Sequence, residues 1–276
     1  MLKTSIREQI KICINKRIFI IFFIGMLIFI SVNYIFNIYQ YYGMDIVSLY
    51  SPMKILTLSE GGTVLNVYFL QYYAFIVILP AGFSFLNDKI CGEQLYLQYR
   101  LGRKGYYLGK MISTFLVTFF VFTIPFYIEM CLTRLAFPAR AVGDPSNFNP
   151  YDEVYIEYVE NYFFSGLYKY NIHLYVIICI LLFGIFSAIL GVFALSISMI
   201  RMKYRVLLFL PVYIVLVLFL SIGQVFFPAD SAFNYYLFLS IFDCGPKNGW
   251  VCIGFSGILI IVTIIILIWK SRKDYI

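Results

Sequence analysis

IFIIFFIGMLIFISVNYIFNIY, residues 18–39, runs from Ile18 to Tyr39 without one charged side chain. An α-helix rises about 1.5 Å per residue, so such a run covers the roughly 30 Å of hydrocarbon in a bilayer. The basic pair Lys16-Arg17 stands at its head, where cations flank membrane spans. Five further runs have the same character: 67–86, 107–130, 174–200, 206–227 and 251–269. The sequence therefore predicts an all-α integral membrane protein with six transmembrane helices, a single domain over residues 1–276.

Composition supports this reading. Soluble domains are nearer half apolar and about a quarter charged. This chain is 62% hydrophobic and 13% charged, with a mean hydropathy of +0.87. A net charge of +7 raises the question of nucleic acid. The cations gather at the ends of apolar runs, however, which is a topology signal and predicts a bilayer, not nucleic acid, as the partner. Sixteen of the 21 lysines and arginines fall in the N-terminal stretch, the loops after spans two and four, and the tail. That asymmetry predicts both termini in the cytoplasm. The first apolar run is too long for a cleavable signal peptide and lacks a small-residue cleavage site after it.

Several segments are not expected to span. Residues 2–17 read as an amphipathic helix, with Leu2, Ile6, Ile10, Cys13 and Ile14 at helical spacing, suited to lie on the inner leaflet. The outer loop 131–173 opens with Pro138, Gly143, Pro145 and Pro150, then gives YDEVYIEYVENYFF (151–164). That string predicts a helix with a stripe of Glu153, Glu157 and Glu160 and another of Tyr155, Tyr158, Val159 and Tyr162, resting at the lipid interface or acting as a lid. The apolar stretch 232–242 is too short to cross and predicts a re-entrant or interfacial helix. Pro80, Pro125 and Pro211 are expected to kink their helices. A disulfide between Cys131 and Cys244 stays open.

The search for chemistry predicts no catalytic and no metal site. One histidine, His173, and six scattered cysteines provide neither a nucleophile–base pair nor a zinc set. The string around Gly109-Lys110 fails as a phosphate-binding loop: Lys104 stands where the first glycine belongs, and Met111 replaces the Ser or Thr that holds magnesium. Glu129 is the one acidic residue that falls inside an apolar run, and the sequence places it at headgroup level near the outer end of span three. DKICGEQLYLQYRLGRKGYYLGK (88–110) is too polar to span and too patterned for coil. It predicts a short amphipathic cytosolic helix with Ile90, Leu97 and Leu101 on one face, a break at Gly102, and a basic start to span three. Such a helix suits docking into a groove on a soluble partner.

At this loop the chain resembles the permease subunits of ABC-2-type exporters. The shared elements are Asp88, Gly92, Arg100, Arg103-Lys104, Tyr107 and Gly109-Lys110, with six spans and an amphipathic N-terminal helix around them. The long outer loop after span three departs from many members. The resemblance implies a non-enzymatic permease that pairs with a second permease chain, identical or different, and with a cytosolic ATP-binding-cassette subunit. ATP and magnesium would sit on that ATPase; no cofactor is expected on this chain. The coupling helix would hold Asp88, Gly92, Glu93, Tyr96, Leu97, Arg100, Arg103 and Lys104. Spans two and five would line the substrate path, with Gln71, Phe75, Phe209 and Tyr213 on it. Walls rich in Phe, Tyr and Ile suit a hydrophobic or amphipathic cargo such as a peptide, lipid or drug. Two other functions fit the sequence: a self-contained channel or secondary carrier, and a membrane sensor or assembly protein using the acidic, Tyr-rich outer loop. Abundant Ile, Tyr, Phe, Lys and Asn predict an AT-rich bacterial genome and hence a bacterial plasma membrane.

Overall fold

Long apolar runs leave a helix as the only backbone form that satisfies its own hydrogen bonds in hydrocarbon. The computed structural model describes residues 2–46, 49, 51–59, 64–138, 141, 153–200, 204–226, 233–242 and 248–273. Among the described residues the secondary structure is entirely helical: α1 (Leu2–Ile14), α2 (Arg17–Tyr41), α3 (Val64–Ile76), α4 (Ser84–Ile90), α5 (Glu93–Leu101), α6 (Arg103–Ala136), α7 (Glu153–Glu160), α8 (Ser165–Tyr170), α9 (Ile172–Ser198), α10 (Phe209–Phe226), α11 (Tyr235–Leu239) and α12 (Gly249–Lys273). Among the described residues, five helices are long and apolar enough to cross a membrane: α2, α6, α9, α10 with its preceding 3-10 turn, and α12.

The second apolar run, 67–86, is not one span-length helix. It breaks into α3 and α4 around a turn at 77–83. Pro80 lacks an amide hydrogen. A Cβ on Gly82 would stand 2.7 Å from the carbonyl oxygen of Ile78, so the chain folds back more tightly than a larger residue allows. Pro125 sits inside the long α6, and Pro211 falls in the first turn of α10, where a missing N–H leaves no hydrogen bond unmade.

The helices pack through small residues and rings. On α9, a Cβ at Gly184 would meet Thr123 and Phe119 of α6, and one at Gly191 would meet Oγ1 of Thr118 at 2.9 Å. Bare glycines thus let the two helix backbones approach closely. Beside this seam, Phe126 and Phe183 meet edge to face at 5.3 Å, and Phe122 and Phe183 at 5.8 Å. Phe69 and Tyr73 of α3 complete the cluster, and the Tyr73 hydroxyl lies 2.8 Å from that of Ser187. Each such ring pair adds about 0.5–1.5 kcal/mol beyond the area it buries.

Two segments differ from the sequence reading, and a third had no reading in the sequence. In α1 the face against α6 is the polar stripe Ser5, Gln9 and Cys13, all buried, while Ile6 and Ile10 are half-buried and Ile14 is exposed. The reason is close approach: a Cβ on Gly109 of α6 would collide with Ser5, and the Ser5 hydroxyl donates to the Gly105 carbonyl at 2.8 Å. Residues 52–59, between α2 and α3, fold inward; Met53, Lys54, Ile55, Leu56, Thr57, Leu58 and Ser59 are all buried. The Leu58 carbonyl accepts from the amide of Ile241 at 2.9 Å and from the Ser240 hydroxyl at 3.2 Å, joining this segment to the end of α11. Finally, Tyr155, Val159 and Tyr162 of the 151–164 string turn toward the protein core rather than lipid. Cys131 is a free exposed thiol, and Cys244 lies outside the described residues.

Candidate functional site

The α4–α5 hairpin brings most of the sequence-selected residues together and sorts them by role. Gly92, at φ 72°, turns the chain between α4 and α5, and Gly102, at φ 73° and ψ 147°, turns it again into α6. Both conformations are ones a side chain resists. The nine residues of α5 therefore form a short rod between two glycine joints.

Beneath the rod lies a buried charge cluster. The Asp88 carboxylate is fully buried; the Lys110 ammonium, also fully buried, pairs with it at 2.5 Å, and Lys16 pairs at 3.1 Å. The Tyr106 hydroxyl donates to the same carboxylate at 3.0 Å, and Lys110 donates to Oε1 of Gln9 at 3.1 Å. One carboxylate thus ties α4 to α6 and to the head of α2, and Lys110 extends the cluster to Gln9 of α1. Buried charges are tolerated when paired and hydrogen-bonded in this way. Cys13 lies against the cluster. Burial pushes its thiol above the ordinary range, outweighing the opposite pull of Lys110 and Lys16, so it stays a neutral packing residue.

Asp88 is thus an internal anchor, and Leu97 also points inward, against Phe85, Tyr106, Tyr107, Leu195 and Met199. Gln98 donates to the Tyr107 hydroxyl at 3.2 Å, fixing the inner face of α5. The outer face shows Glu93, Arg100, Arg103 and Lys104 with three large apolar or aromatic side chains: Leu95 is 76% exposed, Tyr96 65% and Tyr99 94%. Rings this exposed, beside a joint-bounded rod, are what a protein partner's groove takes. Sequence reading missed Lys16 and Gln9 as members of the cluster, and Ser5 as the contact that seats α1 on α6. The four-residue spacing of Ser5, Gln9 and Cys13 was the one signal for the buried face of α1.

Three of the proposed path residues meet: Phe75 of α3 lies 5.7 Å from Phe209 and 5.6 Å from Tyr213 of α10, by ring centroids. Gln71 stands one turn earlier on α3, exposed on the same helix. Phe75 and Tyr213 remain partly exposed, so these rings present a surface and not a closed channel.

Toward the other end of α6, Glu129 is buried within the protein rather than exposed on its surface. Its Oε1 accepts from the amide of Thr57 at 2.8 Å, the Thr57 hydroxyl at 2.6 Å and the Asn33 amide at 2.8 Å. The inserted segment 52–59 is thereby pinned between α2 and α6. Lys54 of that segment donates to the Tyr155 hydroxyl at 3.1 Å and sits over the rings of Tyr155, Tyr168 and Phe242 at 5.3–5.7 Å. Cations over ring faces are attracted by the ring quadrupole. Burial and the Tyr168 contact push the Tyr155 hydroxyl above its ordinary range, so it meets Lys54 as a neutral acceptor.

This arrangement defines a helical protein compatible with several membrane crossings. Compared with family models, with curated proteins and with solved structures, the chain finds no match in any of the three.

Proposed function

We propose that this chain is the membrane-spanning subunit of an ATP-driven exporter of ABC-2 type, moved through α5 by a separate cytosolic ATPase. The observation that supports this most is the α4–α5 hairpin: a rod between two glycine joints, anchored inside by Asp88 and showing Tyr96, Tyr99 and Arg100 outside. A protein without a nucleotide-binding loop of its own needs such a handle if it is to be driven by ATP. We take α3 and α4 as one crossing interrupted at 77–83, which makes six crossings. The cation asymmetry then puts α5 and both termini in the cytoplasm of a bacterial plasma membrane. Force on α5 reaches α6 and the head of α2 through the Asp88 carboxylate, and α1 through the Lys110–Gln9 bond of the same cluster.

A second permease chain pairs along the α3–α10 surface, where Gln71, Phe75, Phe209 and Tyr213 border the cargo path. Their rings favour a hydrophobic or amphipathic cargo. ATP and magnesium bind the partner ATPase. The test is co-purification from native membranes with a protein bearing nucleotide-binding motifs. The Tyr96→Ala/Tyr99→Ala variant should keep its thermal stability and lose that partner; a variant that still holds it refutes α5 as the handle. A second reading, an ATP-independent carrier, draws on the buried Glu129. Transport by the purified chain alone in liposomes would favour it.

A further inference from the structure

Between α9 and α12, at the end capped by α8 and α11, the helices part around a cavity of about 390 Å³. Phe186 and Phe255 meet at 6.1 Å and Phe219 and Phe255 at 4.1 Å, and these rings prop α12 away from α9. The inner wall is Phe186, Ile189 and Phe238; the α12 wall is Cys252, Ser256 and Gly257. A Cβ on Gly257 would meet nothing within 4 Å, so the glycine opens space and is not required by close packing. Of the two lining hydroxyls, that of Ser240 donates to the Leu58 carbonyl. The Ser256 hydroxyl bonds to the Cys252 thiol, and the rest of the side-chain lining is apolar, a surface that water fills poorly.

The cavity opens sideways. Its lips are Ile185, Ile253 and Ile260, all exposed side chains on two helices long enough to span a bilayer. In a membrane the medium outside those lips is lipid hydrocarbon. Trp250, 81% exposed at the start of α12, marks the level where an amphipathic ring meets headgroups. We infer that this cavity is a binding site for one acyl chain of a bilayer lipid, which enters between α9 and α12 below Trp250 and lies against Phe186 and Phe238. The cavity's size is that of a small-ligand pocket, about 300–1,000 Å³. The inference rests on the multi-pass reading and not on the exporter reading, so either can fail alone.

Photolabelling tests it. The full chain is reconstituted into phosphatidylethanolamine/phosphatidylglycerol vesicles doped with a phosphatidylcholine that carries a diazirine on one acyl chain. After irradiation, adducts are mapped. Surface lipid reaches Ile253 and Ile261, whereas Phe186 and Phe238, both buried, are reached only from within the cavity. The expected result is adducts on Phe186 or Phe238 in wild type. In Gly257→Phe these fall to the unirradiated background, adducts on Ile261 persist, and the melting temperature is equal or higher. Should Gly257→Phe fail to fold, Ile253→Trp at the mouth replaces it, with the same expected loss. Adducts confined to exposed positions, or interior adducts that persist in a folded cavity-filling variant, overturn the inference.

Discussion

Removing the Asp88 carboxylate should injure the protein far more than removing both it and its partner. In Asp88→Ala, Lys110 remains fully buried and keeps only Gln9 as a neutral acceptor, while Lys16, less deeply buried, can turn outward. Breaking one side of a buried pair costs about 3–5 kcal/mol, because the other charge stays desolvated. In Lys110→Met, Asp88 retains Lys16 and the Tyr106 hydroxyl, so the cost falls to about 1–3 kcal/mol. In Asp88→Ala/Lys110→Met no fully buried charge is left without a partner, and stability returns to within about 2 kcal/mol of wild type. The assay is a double-mutant cycle read by thermal unfolding in nanodiscs, with urea midpoints as a second probe. Additive effects, or an Asp88→Ala variant as stable as wild type, refute the anchor. The double variant is also informative for function: it should fold yet uncouple ATPase turnover from transport.

The remaining predictions address other parts of the fold. Glu129→Gln keeps an acceptor for Asn33 and Thr57 and should cost under about 1 kcal/mol, whereas Glu129→Leu strands three buried donors and should cost about 2–4 kcal/mol by thermal unfolding. Gly191→Leu drives a side chain into Thr118 and should lower stability by about 1–3 kcal/mol or more, with Gly257→Leu unaffected as the control. Maleimide should label exposed Cys91 in the folded protein but reach Cys13 only on unfolding. Because burial raises the Cys13 thiol, its packing favours the neutral form; any stability it contributes is held at neutral pH and lost as pH climbs past the ordinary thiol range, and Cys13→Ala should flatten that alkaline decline.

Hydropathy and charge made the long helices legible, since an uncharged run of twenty residues in hydrocarbon has one backbone solution. The same signal failed at 67–86, where composition is apolar but Pro80 and Gly82 decide the local geometry. It gave no sign of the partners of Lys54 and Glu129, because Tyr155 and Thr57, distant from them in sequence, are brought beside them only by folding. Amphipathic spacing placed Ile90, Leu97 and Leu101 on one face; the fold turns Leu97 and Leu101 of α5 inward, but the turn at Gly92 leaves Ile90 on α4, exposed. Asp88 was legible only as one element of the 88–110 motif; its role as an anchor depends on Lys16 and Lys110, which only folding brings beside it.

The most direct measurement is the side of the membrane on which α5 lies. In a chain whose native cysteines are replaced, Tyr99→Cys is labelled with a membrane-impermeant maleimide in intact cells and again after permeabilisation. Label that appears only after permeabilisation is the predicted result and keeps α5 where an ATPase can grip it. Full labelling of Tyr99→Cys in intact cells contradicts the account.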